Sequence, residues 1–411
     1  MKLKRSVLSA ILLLGLLANA VAQTVQVPSP QQNTSVEEIF LPPPTGSYPV
    51  GRASFHRIDA SRPEPFTEDS KEKRQVLFHI WYPAESAGSS PASYIDVLPD
   101  NEIFRKSYSF VGIERLMKTR SHAFTGVKVS NARKKYPVII FSHGLGMVSA
   151  LYSTILENLA SHGYIVVGVD SPLFSSALKL PDGRIIKNES QRNRQKGARE
   201  NEAVIQAQDL IFVLNELERL NHSDKQFARR FDLRHVGVFG HSRGGFAAPH
   251  ACLLDRRFQA CLNLDGYPLT PAVMEKGIRQ PYMHIEEIAP WEPPPTDDEL
   301  AKAKQTREEA NKEAQQEKQQ RQTTFSKMSS GVYLVVVKGA KHMSFSDAPL
   351  VAPERYSDIA INAQRATAIT NTYVLAFFDR FLRGKRQPLL EGPSPKFPEV
   401  TLELYRPTKH A

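Results

Sequence analysis

Cysteine, tryptophan and long apolar runs are all scarce in this chain of 411 residues, which has two cysteines and two tryptophans. Two cysteines at this length exclude a disulfide framework as the source of stability. Cys252 reads as helical and Cys261 as the start of a strand. The pair therefore stands either as one bridge or as two buried thiols. No Cys/His cluster has zinc spacing, and none of the 12 histidines lies in H-E-x-x-H. No metal and no other cofactor are expected. Nothing repeats at a fixed period, which argues against a solenoid or propeller. Beyond residue 22, no stretch is long and apolar enough to span a bilayer.

What is present begins at the N-terminus. Lys2, Lys4 and Arg5 precede an apolar run over residues 7–17, and Ala20-Val21-Ala22 follows. That order predicts a cleavable secretory signal over residues 1–22, with Gln23 as the mature start. A retained anchor is the alternative, although the apolar stretch is shorter than the roughly 20 residues a spanning helix needs. The expected location is secreted or periplasmic. The net charge is +10, and three of those charges sit in the signal. The other cations are scattered and no nucleic-acid motif appears, so nucleic acid is not an expected partner. A mildly basic surface is compatible with peripheral contact with lipid.

Residues 23–50 are rich in Pro, Gln, Ser and Thr and read as an extended lead-in. Strand-like runs follow at 52–58 and 75–82, with no helix between them. Residues 84–132 are irregular, with a weak helical pattern at 113–117. From Tyr136, short apolar runs (137–141, 164–169, 235–239, 260–264, 281–285, 332–337) alternate with helical stretches (150–160, 200–220, after 242, 362–382). The alternation predicts an α/β fold: one domain over 51–411, with a mostly parallel sheet buried on both faces and an antiparallel N-terminal edge. Pro293-Pro294-Pro295 introduces a polar stretch at 296–322, within an insertion over about 290–328. Its residues favour helix, but it has almost no apolar face to bury. It is a plain surface insertion, a lid or a partner-binding segment.

The chemistry concentrates in three places. Gly240-His241-Ser242-Arg243-Gly244 follows a β run and precedes a helix-compatible run. A serine hydroxyl is a weak nucleophile, and a sharp strand-to-helix turn presents it to a base. Ser242 is the expected nucleophile. Phe141-Ser142-His143-Gly144-Leu145-Gly146 follows an earlier central strand. In such folds that loop and the residue after the nucleophile supply oxyanion-hole amides, which nominates Leu145 and Arg243. His143 precedes the serine and is not expected to be the base. His342, in Gly339-Ala340-Lys341-His342, comes last in the chain, where the general base belongs. Asp265, Glu286 and Glu287 all end apolar runs between Ser242 and His342, and order alone does not choose the acid among them.

At these residues the chain resembles the platelet-activating-factor acetylhydrolase family, the plasma-type or group VII phospholipase A2 enzymes. The resemblance is carried by WYPA at 81–84, FSHGLG at 141–146, LYSTILENLASHGYIVVGVD at 151–170, GHSRGG at 240–245, DRRFQACLNLDGY at 255–267 and GAKHMSFSD at 339–347. It covers roughly residues 50 to 385, apart from the insertion. It is also similar to the wider dienelactone-hydrolase-like esterases. The resemblance implies an α/β-hydrolase fold and a triad of Ser242, Asp265 and His342, thus favouring Asp265. It implies a small-molecule or lipid ester substrate with a short or oxidised acyl chain. Phe141 and Tyr267 become candidate pocket residues. Arg243 stands where the family commonly has Phe, and Tyr267 where it has Trp. The alternatives are another hydrolase on this fold, such as a polyesterase, lipase or peptidase, or a non-catalytic binding module.

Overall fold

In the computed structural model the described residues are 37–65, 67, 69, 71–95, 101–172, 174–188, 198–287 and 295–406. The expected signal and the first half of the lead-in, residues 23–36, lie outside them. Two compact units emerge, one of Glu37–Glu287 with Thr324–Ala411, the other including Ile288–Thr323.

The β-branched and aromatic runs of the larger unit build a 12-stranded sheet. Its strands are β1 (Ile39–Phe40), β2 (Val50–Pro63), β3 (Lys73–Pro83), β4 (Pro91–Ser93), β5 (Thr119–Phe124), β6 (Tyr136–Ser142) and β7 (Ile165–Asp170). After a separate hairpin of β8 (Ala177–Lys179) and β9 (Ile185–Lys187) come β10 (Phe231–His241), β11 (Phe258–Leu264), β12 (Tyr282–Glu286), β13 (Val332–Val337) and β14 (Val400–Tyr405). The order is β1-β5-β2-β3-β7-β6-β10-β11-β12-β13-β14, with β4 on β5. From β7 through β13 every pairing is parallel. β2, β3 and β7 pair antiparallel, as expected. A second antiparallel edge, β13 with β14, was not anticipated.

Alternate residues of the central strands feed two cores. Ile139, Phe141 and Phe239 point to one face, and Val138, Ile140, Val236 and Val238 to the other. On the first face lie α1 (Ser153–Ser161) and the amphipathic α4 (Ala363–Arg383), which contributes Ile369, Tyr373, Phe377 and Phe378. On the second lie α2 (Ala198–Ser223), through Ala207, Leu210, Leu214 and Leu217, and α3 (Arg243–Leu254), through Ala247, Ala248 and Ala251. Each large side chain buried this way stabilises the fold by about 1.5–3 kcal/mol. Covered on both faces, the parallel strands can expose function only where they end.

The segment that includes the smaller unit's described residues is helical over Asp297–Ala303 and Arg307–Ser326. Thr306 and Glu309 form a reciprocal cap: the Glu309 N–H donates to Thr306 Oγ1 at 3.2 Å, and the Thr306 N–H donates to the Glu309 carboxylate at 3.0 Å. The expected helical stretch thus forms with its N-terminus satisfied locally.

Candidate active site

β10 runs buried to His241, and the chain then turns within one residue into α3. Ser242 makes that turn at φ 53°, ψ −117°. A non-glycine residue held there costs about 1–3 kcal/mol and persists only where its surroundings enforce it. They do: the Ser242 N–H donates to the Leu264 carbonyl at 2.8 Å. The flanking glycines are required by close approach. A Cβ on Gly240 would lie 2.2 Å from the Gly244 backbone, and one on Gly244 would lie 2.0 Å from the Ser142 carbonyl oxygen. Ser242 stays half-exposed at the end of a buried strand.

Asp265 immediately follows β11, also at positive φ, 51°. Its N–H donates to the Ile285 carbonyl at 2.7 Å, and its Oδ1 accepts the Glu287 N–H at 3.3 Å. Its Oδ2 lies 2.5 Å from His342 Nδ1. His342 opens a short 3₁₀ turn, His342–Phe345, five residues past Val337 at the end of β13. Glu286 is buried, with its carboxylate 3.2 Å from His284 Nε2. Of the three carboxylates that sequence order leaves open, Asp265 is hydrogen-bonded to His342, and Glu286 lies beside His284. Asp170 is buried too, accepting the Ser149 N–H at 2.6 Å and anchoring the start of the turn that leads into α1.

The His342 turn docks against the residue before the serine. The His241 Nε2–H donates to the His342 carbonyl at 3.0 Å, and the two rings lie 4.6 Å apart. With Nδ1 committed to Asp265, the His342 Nε2 is the nitrogen left to act as a base. Burial works against charge on His342, but the hydrogen bond and charge of Asp265, joined by Glu287, outweigh it and raise its pKa. Burial raises the Asp265 pKa, and the His342 hydrogen bond and nearby imidazoles more than reverse that. Glu287 is pushed up to about 7 by burial and by the neighbouring Asp265 carboxylate. Asp265, Glu287 and His342 are the one group among the described residues close enough to share a metal, with one atom of each within 4.8 Å of the others. Within that group, Asp265 Oδ2 and His342 Nδ1 are already hydrogen-bonded to each other.

The remaining expected residues separate. Leu145 is half-exposed on the loop after β6, and among the described residues no acceptor takes its N–H. Arg243 opens α3, where N–H groups point out of the helix end. Its side chain turns inward and forms an ion pair with Glu202 of α2, both nearly buried. His143 is fully buried, with Nδ1 donating to the Gly144 carbonyl at 2.7 Å and Nε2 3.0 Å from Ser175 Oγ. These two contacts brace the loop. Tyr267 is half-exposed next to Asp265. Phe141 requires a correction. It is a core residue and not a pocket wall: it is fully buried, 4.7 Å from the Tyr152 ring and 4.6 Å from Phe239. Its place on a central strand covered on both faces is the reason. Cys252 and Cys261 are free and buried, and lie in contact.

A parallel sheet with helices on both faces, a serine on a strand-to-helix turn, and an acid and a histidine on later strand ends together define an α/β-hydrolase fold. Comparison with known proteins narrows this. The family model described as platelet-activating factor acetylhydrolase, isoform II, matches residues 33–387, and the chain belongs to that family. The chain is similar to a platelet-activating factor acetylhydrolase of Canis lupus familiaris, 26% identical over 285 residues, covering 61% of each protein. It is also similar to a probable 1-alkyl-2-acetylglycerophosphocholine esterase of Arthroderma benhamiae, 26% identical over 275 residues, covering 64% of this chain and 65% of that one. The match thus spans just under two thirds of these relatives' own length. Among solved structures, a ferulic acid esterase from Streptomyces cinnamoneus superimposes with a TM-score of 0.70 at 29% identity. It covers 89% of this chain and 99% of that one.

Proposed function

We propose that the chain hydrolyses carboxylic esters through an acyl-enzyme, with Ser242 as nucleophile, His342 as base and Asp265 as its orienting acid. The observation that carries this is the Asp265–His342 hydrogen bond of 2.5 Å on a turn docked against the residue preceding Ser242. Asp265 fixes the proton on Nδ1, so Nε2 takes the Ser242 proton as the hydroxyl attacks the carbonyl. The Leu145 and Arg243 amides then hold the oxyanion, each worth about 3 kcal/mol in the transition state. His342 returns the proton to the leaving alkoxide, and water repeats the cycle on the acyl-enzyme.

Family membership supports a lipid ester with a short or oxidised acyl chain, of the 1-alkyl-2-acetylglycerophosphocholine type. The Arg243 side chain is buried against Glu202, so its charge is answered inside the protein and is not displayed to the substrate. The ferulic acid esterase likeness favours a second reading, an aromatic acyl group on the same machinery. The N-terminal basic-apolar-small pattern supports export, and sequencing the N-terminus of the mature protein tests it: Gln23 is expected first.

The deciding assay compares wild type with Ser242→Ala on p-nitrophenyl esters of rising chain length, an oxidised phospholipid and methyl ferulate. Ser242→Ala is expected to lose several orders of magnitude in kcat, about 10⁴–10⁶. Near-full activity in that variant would sink the proposal. The ratio of phospholipid to ferulate turnover selects between the two substrate readings.

A further inference from the structure

We propose that Tyr152 and His241 are positioning residues that join the oxyanion loop, the nucleophile turn and the base-bearing turn into one hydrogen-bonded chain. The inference rests on the esterase reading above and adds to it two residues outside the triad and the oxyanion amides.

The direction of each hydrogen bond follows from the groups that can only accept or only donate. The His342 carbonyl can only accept, so His241 Nε2, 3.0 Å away, carries the proton. His241 is 1% exposed, and burial together with the neighbouring His342 pushes its pKa down to about 3. The ring is therefore neutral at any working pH, and its Nδ1 is a bare acceptor. The Tyr152 oxygen lies 2.7 Å from that Nδ1, so the phenol donates to it. Burial holds the phenol protonated. The same oxygen then accepts the Gly144 N–H at 3.3 Å.

The chain runs from the Gly144 N–H to Tyr152, from Tyr152 to His241, and from His241 to the His342 carbonyl. Each end is one bond from a reacting part. Gly144 precedes Leu145, whose amide faces the oxyanion, and His241 precedes Ser242. His342 is itself the base. These parts come from the ends of three different strands, β6, β10 and β13, and no covalent link fixes their spacing. The spacing is tight. A Cβ on Gly144 would lie 3.2 Å from both the His241 Nδ1 and the Ser242 Cβ, and 3.4 Å from the Tyr152 oxygen.

The Tyr152 ring is already held by packing, 4.7 Å from Phe141 and 5.5 Å from His241. Phenylalanine would fill the same space. Among the described residues, the hydroxyl's hydrogen bonds are the two that link Gly144 and His241. A neutral His241 also matters when His342 becomes imidazolium in the transition state. A second cation 4.6 Å away would oppose that charge.

The test uses full-length enzyme with Tyr152→Phe, His241→Gln, His241→Asn and the double variants, with Ser242→Ala as control. Tyr152→Phe is expected to lower kcat about 10- to 100-fold, the scale of a small misplacement of reacting groups. KM should stay within about two-fold and Tm within about 3 °C. Affinity for a boronic acid that mimics the tetrahedral intermediate should fall by the same factor as kcat/KM.

His241→Gln keeps an amide donor near the His342 carbonyl but loses the acceptor for Tyr152. Combined with Tyr152→Phe, it should cost no more than the worse single change. His241→Asn keeps the acceptor and loses the donor, so its loss should multiply with that of Tyr152→Phe. The inference is overturned if Tyr152→Phe keeps kcat within two-fold of wild type. It also fails if the loss falls on KM or Tm, or if Tyr152→Phe and His241→Gln act multiplicatively. Full activity in Ser242→Ala is a separate result, which removes the underlying esterase reading instead.

Discussion

At the scale of single residues, two carboxylates compete for His342 with unequal roles. Asp265 holds Nδ1 directly, while Glu287 acts through its charge. Both favour the imidazolium, so the base is lost to protonation at a higher pH than a free histidine would show. The kcat/KM profile should therefore have an acid limb above the usual histidine value of about 6.5. Glu287→Gln removes one source of that shift, so the limb should move to lower pH with the plateau within a few-fold of wild type. Asp265→Asn should instead lower the plateau by about 10⁴, because the proton no longer stays on Nδ1. A Glu287→Gln profile that superimposes on wild type would refute the coupling. The thiols give a second check. Burial, and contact with Cys252, hold the Cys261 thiol well above its usual range. Iodoacetamide should therefore label neither cysteine in native protein and both after denaturation. Ser242 and His342 could be nominated from the sequence because each follows a strand-like run at the place in the chain order that the chemistry needs. Asp265 was not separable from Glu286 and Glu287 by pattern, since all three end neighbouring strands. They differ in three dimensions, where Asp265 meets His342 and Glu286 lies beside His284. Tyr152 left no signal, since a tyrosine in an apolar helix start reads as core.

At the scale of elements, the strand–turn–helix around Ser242 is the feature that fails most sharply when altered. Gly244→Ala would drive a Cβ into the backbone oxygen of Ser142, an atom that cannot swing aside. The substitution should cost about 3 kcal/mol or more and abolish activity together with stability. Urea unfolding with a midpoint close to wild type would show that the turn can relax. The central strands were legible because burial on both faces leaves unbroken apolar runs. β5 was missed because Thr119–Phe124, TRSHAF, is half polar and lacks clean alternation. β14 was missed for the related reason that an edge strand need bury little: only Val400 of Val400–Tyr405 is buried. The polar stretch at 296–322 was read correctly as helix from propensity. The T-x-x-E pattern at Thr306 and Glu309 marks the start of the second helix in the sequence. The Phe141 expectation failed because a family motif marks a segment, and within it only the loop residues face outward.

At the scale of the whole molecule, the fold buries carboxyl groups outside the proposed triad, and they tie stability to pH. Asp347 is fully buried, and burial pushes it up to about 6 despite hydrogen bonds donated by the Thr154 hydroxyl and amide and by the Tyr94 hydroxyl. Glu157 is 1% exposed, and burial pushes it up to about 7, with Asp347 adding to the rise and the His122 N–H opposing it. A raised carboxyl pKa means that the folded chain binds more protons than the unfolded chain between the two values. Here that window runs from about pH 4 to about pH 7. Within it, the contribution of these groups to stability falls as pH rises. A shift of about two units corresponds to on the order of 3 kcal/mol per group. Asp347→Asn removes one of the titrations while keeping the shape. Relative to wild type, the variant should therefore lose more stability at pH 5, where Asp347 is protonated and well accommodated, than at pH 7.5, where wild type carries a buried charge. Urea unfolding of both proteins at the two pH values measures the difference directly. An equal gap between them at pH 5 and pH 7.5 would mean that Asp347 titrates alike in the folded and unfolded chain. A gap that widens toward acid would instead place the Asp347–Thr154–Tyr94 contacts among the interactions that make this core more tolerant of mild acid than its exposed carboxylates alone would allow.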